Sequence, residues 1–304
     1  MLTIAISSYR RPKSIEVLLR SIARSSSLSP SLKFIIINDS GLDQCNKPYR
    51  DVIDSLSSIL NITFIDHEEN KGYPKSFIEI FSICETKYVM MLADDDLLDL
   101  SDIDRLLEFL HEVNPDICST QYLRENKIYR GQRVSRKATP SEFRELNGHA
   151  PGVVYKVDSV LNIVSLVSTR LSENNVIAHT YPQVLFAIDM LLNNMNCWFY
   201  AGAFASEGVA MPSGIKDASG AHYSDIASRI QQLAAFDEFI NGYPSSLQRD
   251  EMLFASRRQC FALCVRGTPS TFSDMGISKK VNLNRKIRRW LSRRIKKFLG
   301  QPTK

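Results

Sequence analysis

The sequence predicts an α/β fold with a mainly parallel central sheet, helices on both faces and a helical C-terminal region. Short apolar runs alternate with segments of helical periodicity through the first 122 residues, most of these runs end in polar clusters, and helical spacing recurs near the C-terminus. The 304 residues are 44% hydrophobic and 23% charged, a composition that excludes collagen-like and wholly disordered classes.

The first two strand–helix pairs are marked by apolar runs followed by proline or turn residues. Residues 2–7 form a short apolar run, and Pro12 suits the first position of the helix that follows. Residues 34–37 form a continuous buried-strand run that ends in the turn cluster 38–41. In the next helix we place the apolar residues Val52, Ile53, Leu56, Ile59 and Leu60.

The same pattern repeats further along the chain. A third strand at residues 62–65 precedes a polar loop and a helix that Pro74 opens. A fourth strand at 88–93 is broken by three aspartates, after which Ser101 is placed to cap a fourth helix. Residues 117–121 are predicted to form a fifth strand.

Polar residues follow four of the predicted strands. Because ligands of parallel sheets bind outside the carboxyl ends of the strands, we expect these loops to converge on one crevice. The polar residues are Ser7 to Arg10 after the first strand, Asn38 to Ser40 after the second, Asp66 and Asn70 to Gly72 after the third, and Asp94 to Asp96 after the fourth.

The aspartate triplet Asp94 to Asp96 is the sharpest local signal. Adjacent carboxylates raise one another's pKa unless a cation offsets the repulsion, and their hard oxygens suit Mg²⁺ or Mn²⁺. A solvated strand-to-helix turn is the alternative, but the position among polar strand ends favours a site for a metal ion and a diphosphate. Four cations are candidates to help neutralise the phosphates: Arg10, Arg11, Lys71 and Lys75.

Several well-known site patterns do not occur in the sequence. GxGxxG does not follow the first strand, and GxxxxGK[ST] and GxSxG are absent. The sequence therefore lacks the signatures of dinucleotide oxidoreductases, P-loop NTPases and α/β-hydrolases. The six cysteines show no CxxC spacing, so we expect reduced thiols in a cytoplasmic protein, and the early arginines argue against a signal peptide.

Four motifs, in this order, resemble those of family 2 glycosyltransferases of the GT-A fold. They are Ser7-Ser8-Tyr9-Arg10-Arg11-Pro12, Ile-Ile-Ile-Asn-Asp-Ser at 35–40, Glu69-Asn70-Lys71-Gly72-Tyr73, and Val-Met-Met-Leu-Ala-Asp-Asp-Asp-Leu-Leu at 89–98. The resemblance spans roughly residues 1–125. It departs from the family at Asn38, where Asp is commoner, and at Lys75-Ser76-Phe77, where an Arg-Asn pair is usual. The resemblance therefore does not identify the nucleotide base or the sugar of the donor.

The resemblance implies a nucleotide-sugar donor and a divalent metal, Mn²⁺ or Mg²⁺. It implies that Asp96 binds the metal. We also assign Asp94 to the metal, and Asp95, Arg10 and Lys75 to the donor site. The remaining implied contacts are Ser8 and Tyr9 near the base, Asp39 on the base or ribose, Asn70 and Gly72 along the nucleotide, and Asp94 near the ribose.

The resemblance also implies an inverting reaction, in which a carboxylate acts as general base on the acceptor hydroxyl. Asp189 is the first candidate, because it lies on a predicted amphipathic helix at about the position where the family places its base, although the usual Glu-Asp dipeptide is absent. Other candidates for the base, each with a structural alternative, are His179, Glu173, Asp158 and His149. His222 lies in a Gly/Ser-rich stretch, which is either a surface loop or a contributor to the donor site.

The C-terminal tail carries the basic character of the chain. Residues 279–304 contain eleven Lys/Arg and no Asp/Glu, and residues 279–300 alternate apolar and basic positions at helical spacing. Such a helix suits an anionic membrane surface, and docking on the protein's own core or RNA binding are the alternatives. We expect a peripheral enzyme on the inner face of the plasma membrane, without a nucleic-acid partner.

Three regions and one activity follow. We assign residues 1–122 to the nucleotide-sugar half, 123–240 to the acceptor and catalytic half, and 241–304 to a helical extension; the polar stretch 124–150 is predicted as an acceptor-side loop or lid. The expected acceptor is a lipid-linked saccharide in surface polysaccharide or O-antigen synthesis. A sugar nucleotidyltransferase and a non-enzymatic membrane adaptor are the competing functions.

Overall fold

The computed structural model describes residues 1–25, 29–41, 46–208 and 226–266. The chain divides into two compact units, Met1–Ser213 and Gly214–Lys304. The first unit is an α/β domain. The second contains, within its described residues, two helices. The predicted tail helix at 279–300 and His222 lie outside the described residues.

The first unit is built on a mixed sheet that runs in the spatial order β3-β2-β1-β4-β9-β6-β10-β5. Strands β7 and β8 pair with β6 and β10, respectively. The described strands are β1 (Leu2–Ser8), β2 (Leu32–Asn38), β3 (Ile62–Asp66), β4 (Tyr88–Ala93), β5 (Asp96–Leu98), β6 (Ile117–Arg124), β7 (Lys127–Arg130), β8 (Arg136–Lys137), β9 (Val153–Lys156) and β10 (Cys197–Glu207).

The α-helices alternate with the first strands and then collect in the second half. They are α1 (Pro12–Ala23), α2 (Asn46–Leu56), α3 (Tyr73–Ile83), α4 (Ile103–Val113), α5 (Phe143–Asn147), α6 (Val157–Ser172), α7 (Val176–Thr180), α8 (Pro182–Leu192), α9 (Ile226–Asn241) and α10 (Leu247–Arg266), with a 3₁₀ turn at Pro140–Glu142.

The predicted α/β class is confirmed. Strands β1 to β4 pair in parallel, as helical crossovers require. The sheet is not fully parallel, because β9 lies antiparallel between β4 and β6. Strands β5, β7 and β8 also pair antiparallel with their neighbours. Prolines begin α1 and α8 and occupy the second position of α3, where a missing N–H costs no helical hydrogen bond.

Two helix boundaries differ from the prediction. The second helix ends at Leu56 rather than including Ile59 and Leu60, because the N–H groups of both residues donate to the Leu56 carbonyl at 2.9 Å and the chain leaves the helix in a turn. Ser101 does not cap α4. Its N–H donates to Asp99 Oδ1 at 2.9 Å in a turn that precedes the helix, and Asp102 occupies the N-cap position.

The polar stretch 124–150 also differs from a simple loop. It contains β7, β8, a 3₁₀ turn and α5. The two strands leave no hydropathy pattern in the sequence, because β7 and β8 are short and their residues are mostly polar and exposed. The segment therefore contributes to the sheet, because β7 pairs with β6 and β8 pairs with β10.

An aromatic cluster joins α3, β9 and α8 on one face of the sheet. Phe77 contacts Phe81, Tyr155 and Phe186, with ring centroids 5.3 to 6.1 Å apart and the rings nearly perpendicular. All four side chains are almost completely buried. Such pairs add to the free energy of burying aromatic surface, so the cluster fixes α8 on the sheet.

The second unit is described through α9 and α10, which pack together. Arg257 Nε lies 2.9 Å from Asp237 Oδ2, an ion pair between the two helices. Within the described residues, no helix combines the length and apolar character needed to cross a membrane.

Candidate active site

Hydrogen bonds join the ends of three strands, as predicted from the polar strand ends. Ser8 Oγ donates to Asp94 Oδ2 at 2.7 Å and so links β1 to β4. The backbone N–H of Asp39 donates to the Ser8 carbonyl at 2.8 Å, and the N–H of Arg10 donates to Ser40 Oγ at 2.8 Å, which link β1 to β2. The loops therefore meet at one edge of the sheet.

Arg11 partly neutralises the aspartate triplet. Its Nη1 lies 3.0 Å from Asp94 Oδ1 and 3.0 Å from Asp95 Oδ2. Tyr49 on α2 helps to position both Arg11 and Ser8. Its hydroxyl accepts a hydrogen bond from the Arg11 N–H at 2.9 Å and lies 2.6 Å from Ser8 Oγ. Because the Ser8 proton goes to Asp94, the Tyr49 hydroxyl donates to Ser8.

Asp96 has a different environment from its two neighbours. It begins β5, and its Oδ1 accepts from the Tyr122 hydroxyl at 2.6 Å. Within the described residues it forms no ion pair. Burial, together with repulsion from Asp95 and Asp94, raises the pKa of Asp96 to about 7 against the hydrogen bond from Tyr122. Burial also raises the pKa of Asp94.

Asp39 organises the loop that follows β3. Its Oδ1 accepts from the Lys71 N–H at 2.8 Å, and its Oδ2 accepts from the Gly72 N–H at 2.8 Å. Gly72 has φ +81, a conformation that favours glycine. Buried His67 places Nδ1 2.8 Å from Asp39 Oδ1 and Nε2 3.0 Å from Glu79 Oε2. The third loop is thereby fastened to the end of β2.

The remaining predicted donor-site residues form an exposed rim around this buried network. Tyr9 is 45% exposed, and the Arg10 guanidinium carbon lies 5.2 Å from the centre of its ring. Arg10 has φ +57, which turns the chain sharply after β1. Asn70 and Lys75 are exposed as well, and Asn70 Oδ1 accepts from the Gly72 N–H at 2.8 Å.

The candidate bases lie on helices rather than on the strand-end loops. Asp189 is half-buried on α8, which packs against α5, α6 and α7. His179 lies on α7, and its buried Nε2 has no hydrogen-bond partner in the part of the chain that the structure describes. Glu173, at the end of α6, pairs with Arg170 at 3.0 Å, and Asp158 is exposed in the first turn of the same helix.

The donor set at the triplet is compatible with a divalent cation. Within the described residues, no three His, Cys, Asp or Glu side chains converge on a common point. Mg²⁺ is, however, commonly held by one or two protein carboxylates together with substrate phosphates. Asp96 fits that role, because its buried carboxylate has no cationic partner among the described residues and ionises at a cost that a cation would offset.

Comparison with known families decides the class of this site. Residues 3–159 match the model of glycosyl transferase family 2, and the match covers more than half of the chain. The chain belongs to this family. The matched residues include all four strand-end loops, so the family 2 region contains the whole hydrogen-bonded network around the aspartates.

Solved structures support the GT-A fold of this family 2 protein. S. aureus TarS 1-349 superposes with a TM-score of 0.63 at 16% identity, covering 94% of this chain and 77% of that one. TarS 1-349 in complex with UDP-GlcNAc gives 0.60 at 15% identity, covering 98% and 81%. The UDP complex gives 0.59 at 14% identity, covering 94% and 76%. No curated protein sequence matches the chain.

Several side chains of the site escaped sequence reasoning. Tyr49 and Tyr122 resemble ordinary core residues in the sequence, and His67 and Glu79 resemble isolated polar residues. Tyr49, Tyr122 and His67 contact partners that lie 26 to 41 positions away in the chain, so no local pattern marks them. The signal that could have identified them is a polar group at a predicted buried position opposite a strand end.

The raised pKa of Asp96 predicts a pH dependence of stability. Because the ordinary value is 3.8 and the folded value about 7, folded Asp96 retains a proton that the unfolded chain releases in this interval. The folded state therefore loses stability as pH rises through the window. With EDTA present, the unfolding free energy of Asp96→Asn minus that of the wild type should increase between about pH 4 and 7, measured by urea denaturation.

The exposed residue Asp54 provides the control for this measurement. For Asp54→Asn the difference from wild type should stay constant over the same pH range. A flat difference for Asp96→Asn as well would show that the folded Asp96 carboxyl ionises normally.

Proposed function

We propose that the protein is a metal-dependent, inverting glycosyltransferase that moves a sugar from a nucleotide-sugar donor to a lipid-linked saccharide in cell-surface polysaccharide or O-antigen synthesis. One observation carries the proposal: in a family 2 chain, strand-end loops meet around an aspartate triplet whose first and third members are buried. The same family assignment favours this activity over a nucleotidyltransferase or a membrane adaptor.

The donor site is proposed along the joined strand ends. Ser8 and Tyr9 lie near the base, Asp39 near the base or ribose, and Asn70 and Gly72 along the nucleotide. TarS has been crystallised with UDP-GlcNAc and with UDP, which supports a nucleoside-diphosphate sugar here. Asp39 binds the loop N–H groups of Lys71 and Gly72, so its first task is to shape the pocket that the nucleotide enters. The exposed cations Arg10 and Lys75 are proposed at the diphosphate.

Asp96, with Asp94, would hold Mn²⁺ or Mg²⁺, and the bound ion would stabilise negative charge on the departing diphosphate. Arg11 keeps Asp94 and Asp95 in fixed positions, and Tyr122 fixes Asp96 Oδ1. These contacts prepare the carboxylates in advance, so little reorganisation is needed when the donor binds.

The transfer step is a direct displacement. The acceptor hydroxyl oxygen attacks the anomeric carbon from the face opposite the diphosphate, the bond from that carbon to the diphosphate oxygen breaks with its electron pair, and the hydroxyl proton passes to the base. We propose Asp189 as that base. His179 on the adjacent helix α7 is the second candidate.

The regional assignment is retained as part of the proposal. Residues 1–122 bind the nucleotide sugar, 123–240 bind the acceptor and supply the base, and 241–304 form the extension. The basic helix at 279–300 is proposed to attach the enzyme to an anionic leaflet, which would place it beside lipid-linked acceptors at the cytoplasmic face of the membrane.

Asp96→Ala tests the metal-dependent transfer. We expect the wild type to turn over at least one member of a panel of UDP-, GDP-, CDP- and dTDP-sugars with Mn²⁺ or Mg²⁺, and to stop on addition of EDTA. Asp96→Ala should lower turnover by roughly a thousandfold or more, because the leaving-group charge loses its main stabilisation. The assay measures release of the nucleoside diphosphate.

Asp102→Ala is the matched control, since this exposed aspartate lies shortly after the triplet. It should retain wild-type turnover. Metal-independent turnover by the wild type, or normal turnover by Asp96→Ala, would contradict the proposed role of Asp96.

Asp189→Asn tests the proposed base. The substitution keeps the size of the side chain but removes its ability to take a proton, so kcat should fall about a hundredfold or more while donor affinity stays near wild type. Steady-state kinetics and donor titration measure the two effects. Under the same conditions His179→Gln should retain most of the activity, and the reverse result would assign the base to His179.

Removal of residues 279–304 tests membrane attachment. The full chain should sediment with vesicles that contain phosphatidylglycerol, and the truncated chain should bind at least tenfold more weakly, because each Lys/Arg near the surface contributes about 1 kcal/mol. Added salt should also weaken the binding of the full chain to these vesicles. Equal binding by both forms would remove the tail from the proposal.

A further inference from the structure

The β6–β7 hairpin presents an exposed aromatic ring, Tyr129, that is linked to the aspartate triplet through Tyr122. Glu125 and Asn126 connect the two strands with φ +49 and +59, as a two-residue hairpin turn requires. The register then shifts, with Tyr122 opposite Arg130 and Leu123 opposite Ile128. Tyr129 is therefore the extra residue of a β-bulge. Bulges re-aim a side chain and are frequent beside active sites.

Tyr129 belongs to a group of three rings that reaches Asp96. Its ring centroid lies 6.3 Å from that of Tyr122 and 6.2 Å from that of His149, and the latter two lie 4.4 Å apart. The Tyr122 hydroxyl donates to Asp96 Oδ1 at 2.6 Å. The chain of contacts from the aspartate to Tyr129 is thus continuous, with a single ring between them.

Tyr129 is held in position although it is 58% exposed. The Arg124 guanidinium carbon lies 4.7 Å from its ring centre, and Arg124 Nη2 also pairs with Glu207 at 2.7 Å. The next residue, Arg130, is buried and donates hydrogen bonds to Ser119 Oγ and to the Pro151 carbonyl. These bonds fix the end of β7. An exposed ring with a constrained backbone loses little entropy on binding.

We propose that Tyr129 is a stacking surface for a pyranose ring of the saccharide acceptor. The C–H groups on one face of a pyranose carry partial positive charge, and the face of an aromatic ring is negative, so the two attract while apolar area is buried. The Arg124–Glu207 pair at the ring supplies donors and an acceptor for sugar hydroxyls. This inference rests on the proposed function and names the surface that the acceptor contacts.

Binding of simple glycosides tests the platform without turnover. The probes are methyl glycosides of glucose, galactose, mannose, rhamnose and N-acetylglucosamine, observed by saturation-transfer NMR with and without UDP and Mg²⁺. We expect at least one glycoside to bind wild type and Tyr129→Phe. Tyr129→Ala should bind it about tenfold more weakly, because the stacking face is lost.

Ile128→Ala is the matched control on the same strand, because Ile128 is also exposed, at 40%, and lies outside the ring group. It should bind like wild type, and all three variants should keep the wild-type unfolding temperature. Failure of every glycoside to bind wild type, or equal binding by Tyr129→Ala, would overturn the proposal. Absence of nucleotide-sugar turnover would instead reject the proposed function, and the glycoside measurement would stay readable.

Discussion

The compensation of buried negative charge at the end of β4 is the constraint on which this site depends. Three successive carboxylates placed at the edge of a sheet repel one another and lose hydration, so each needs a partner. Asp94 and Asp95 share Arg11, the residue before the first helix, and Asp96 accepts a hydrogen bond from the Tyr122 hydroxyl of β6. The partners come from separate elements, so the triplet is stabilised only when β1, β4 and β6 are assembled.

A second polar network gives the donor side its shape. Asp39 at the end of β2 accepts hydrogen bonds from two consecutive backbone N–H groups of the loop after β3, and His67 connects it to Glu79 on α3. Buried networks of this kind confer rigidity when every member is satisfied. The nucleotide pocket is therefore proposed as a preformed surface, with the exposed cations Arg10 and Lys75 at its rim.

Two parts of the candidate site differ in how visible they are in the sequence. The loops at the ends of β1 to β4 carry polar residues where hydropathy patterns reveal them. The β6–β7 hairpin instead carries Tyr122, which donates to Asp96, and exposes Tyr129 through a bulge. A one-residue insertion in a short strand changes the direction of a side chain without leaving a pattern in the sequence.

The α/β class, the first four strands, the prolines that begin helices and the polar strand ends could all be predicted from the sequence, because periodicity and turn residues act over short distances. The predictions were wrong about the cap at Ser101, the end of the second helix and the loop at 124–150, where local hydrogen bonds and strand pairing prevail. The antiparallel insertion of β9, the pairing of Asp94 and Asp95 with Arg11 and of Asp96 with Tyr122, and the link from Tyr129 to Asp96 through Tyr122 became visible only in the folded protein. Those outcomes depend on contacts between residues far apart in the chain, and on which groups lose water together, which no local pattern specifies.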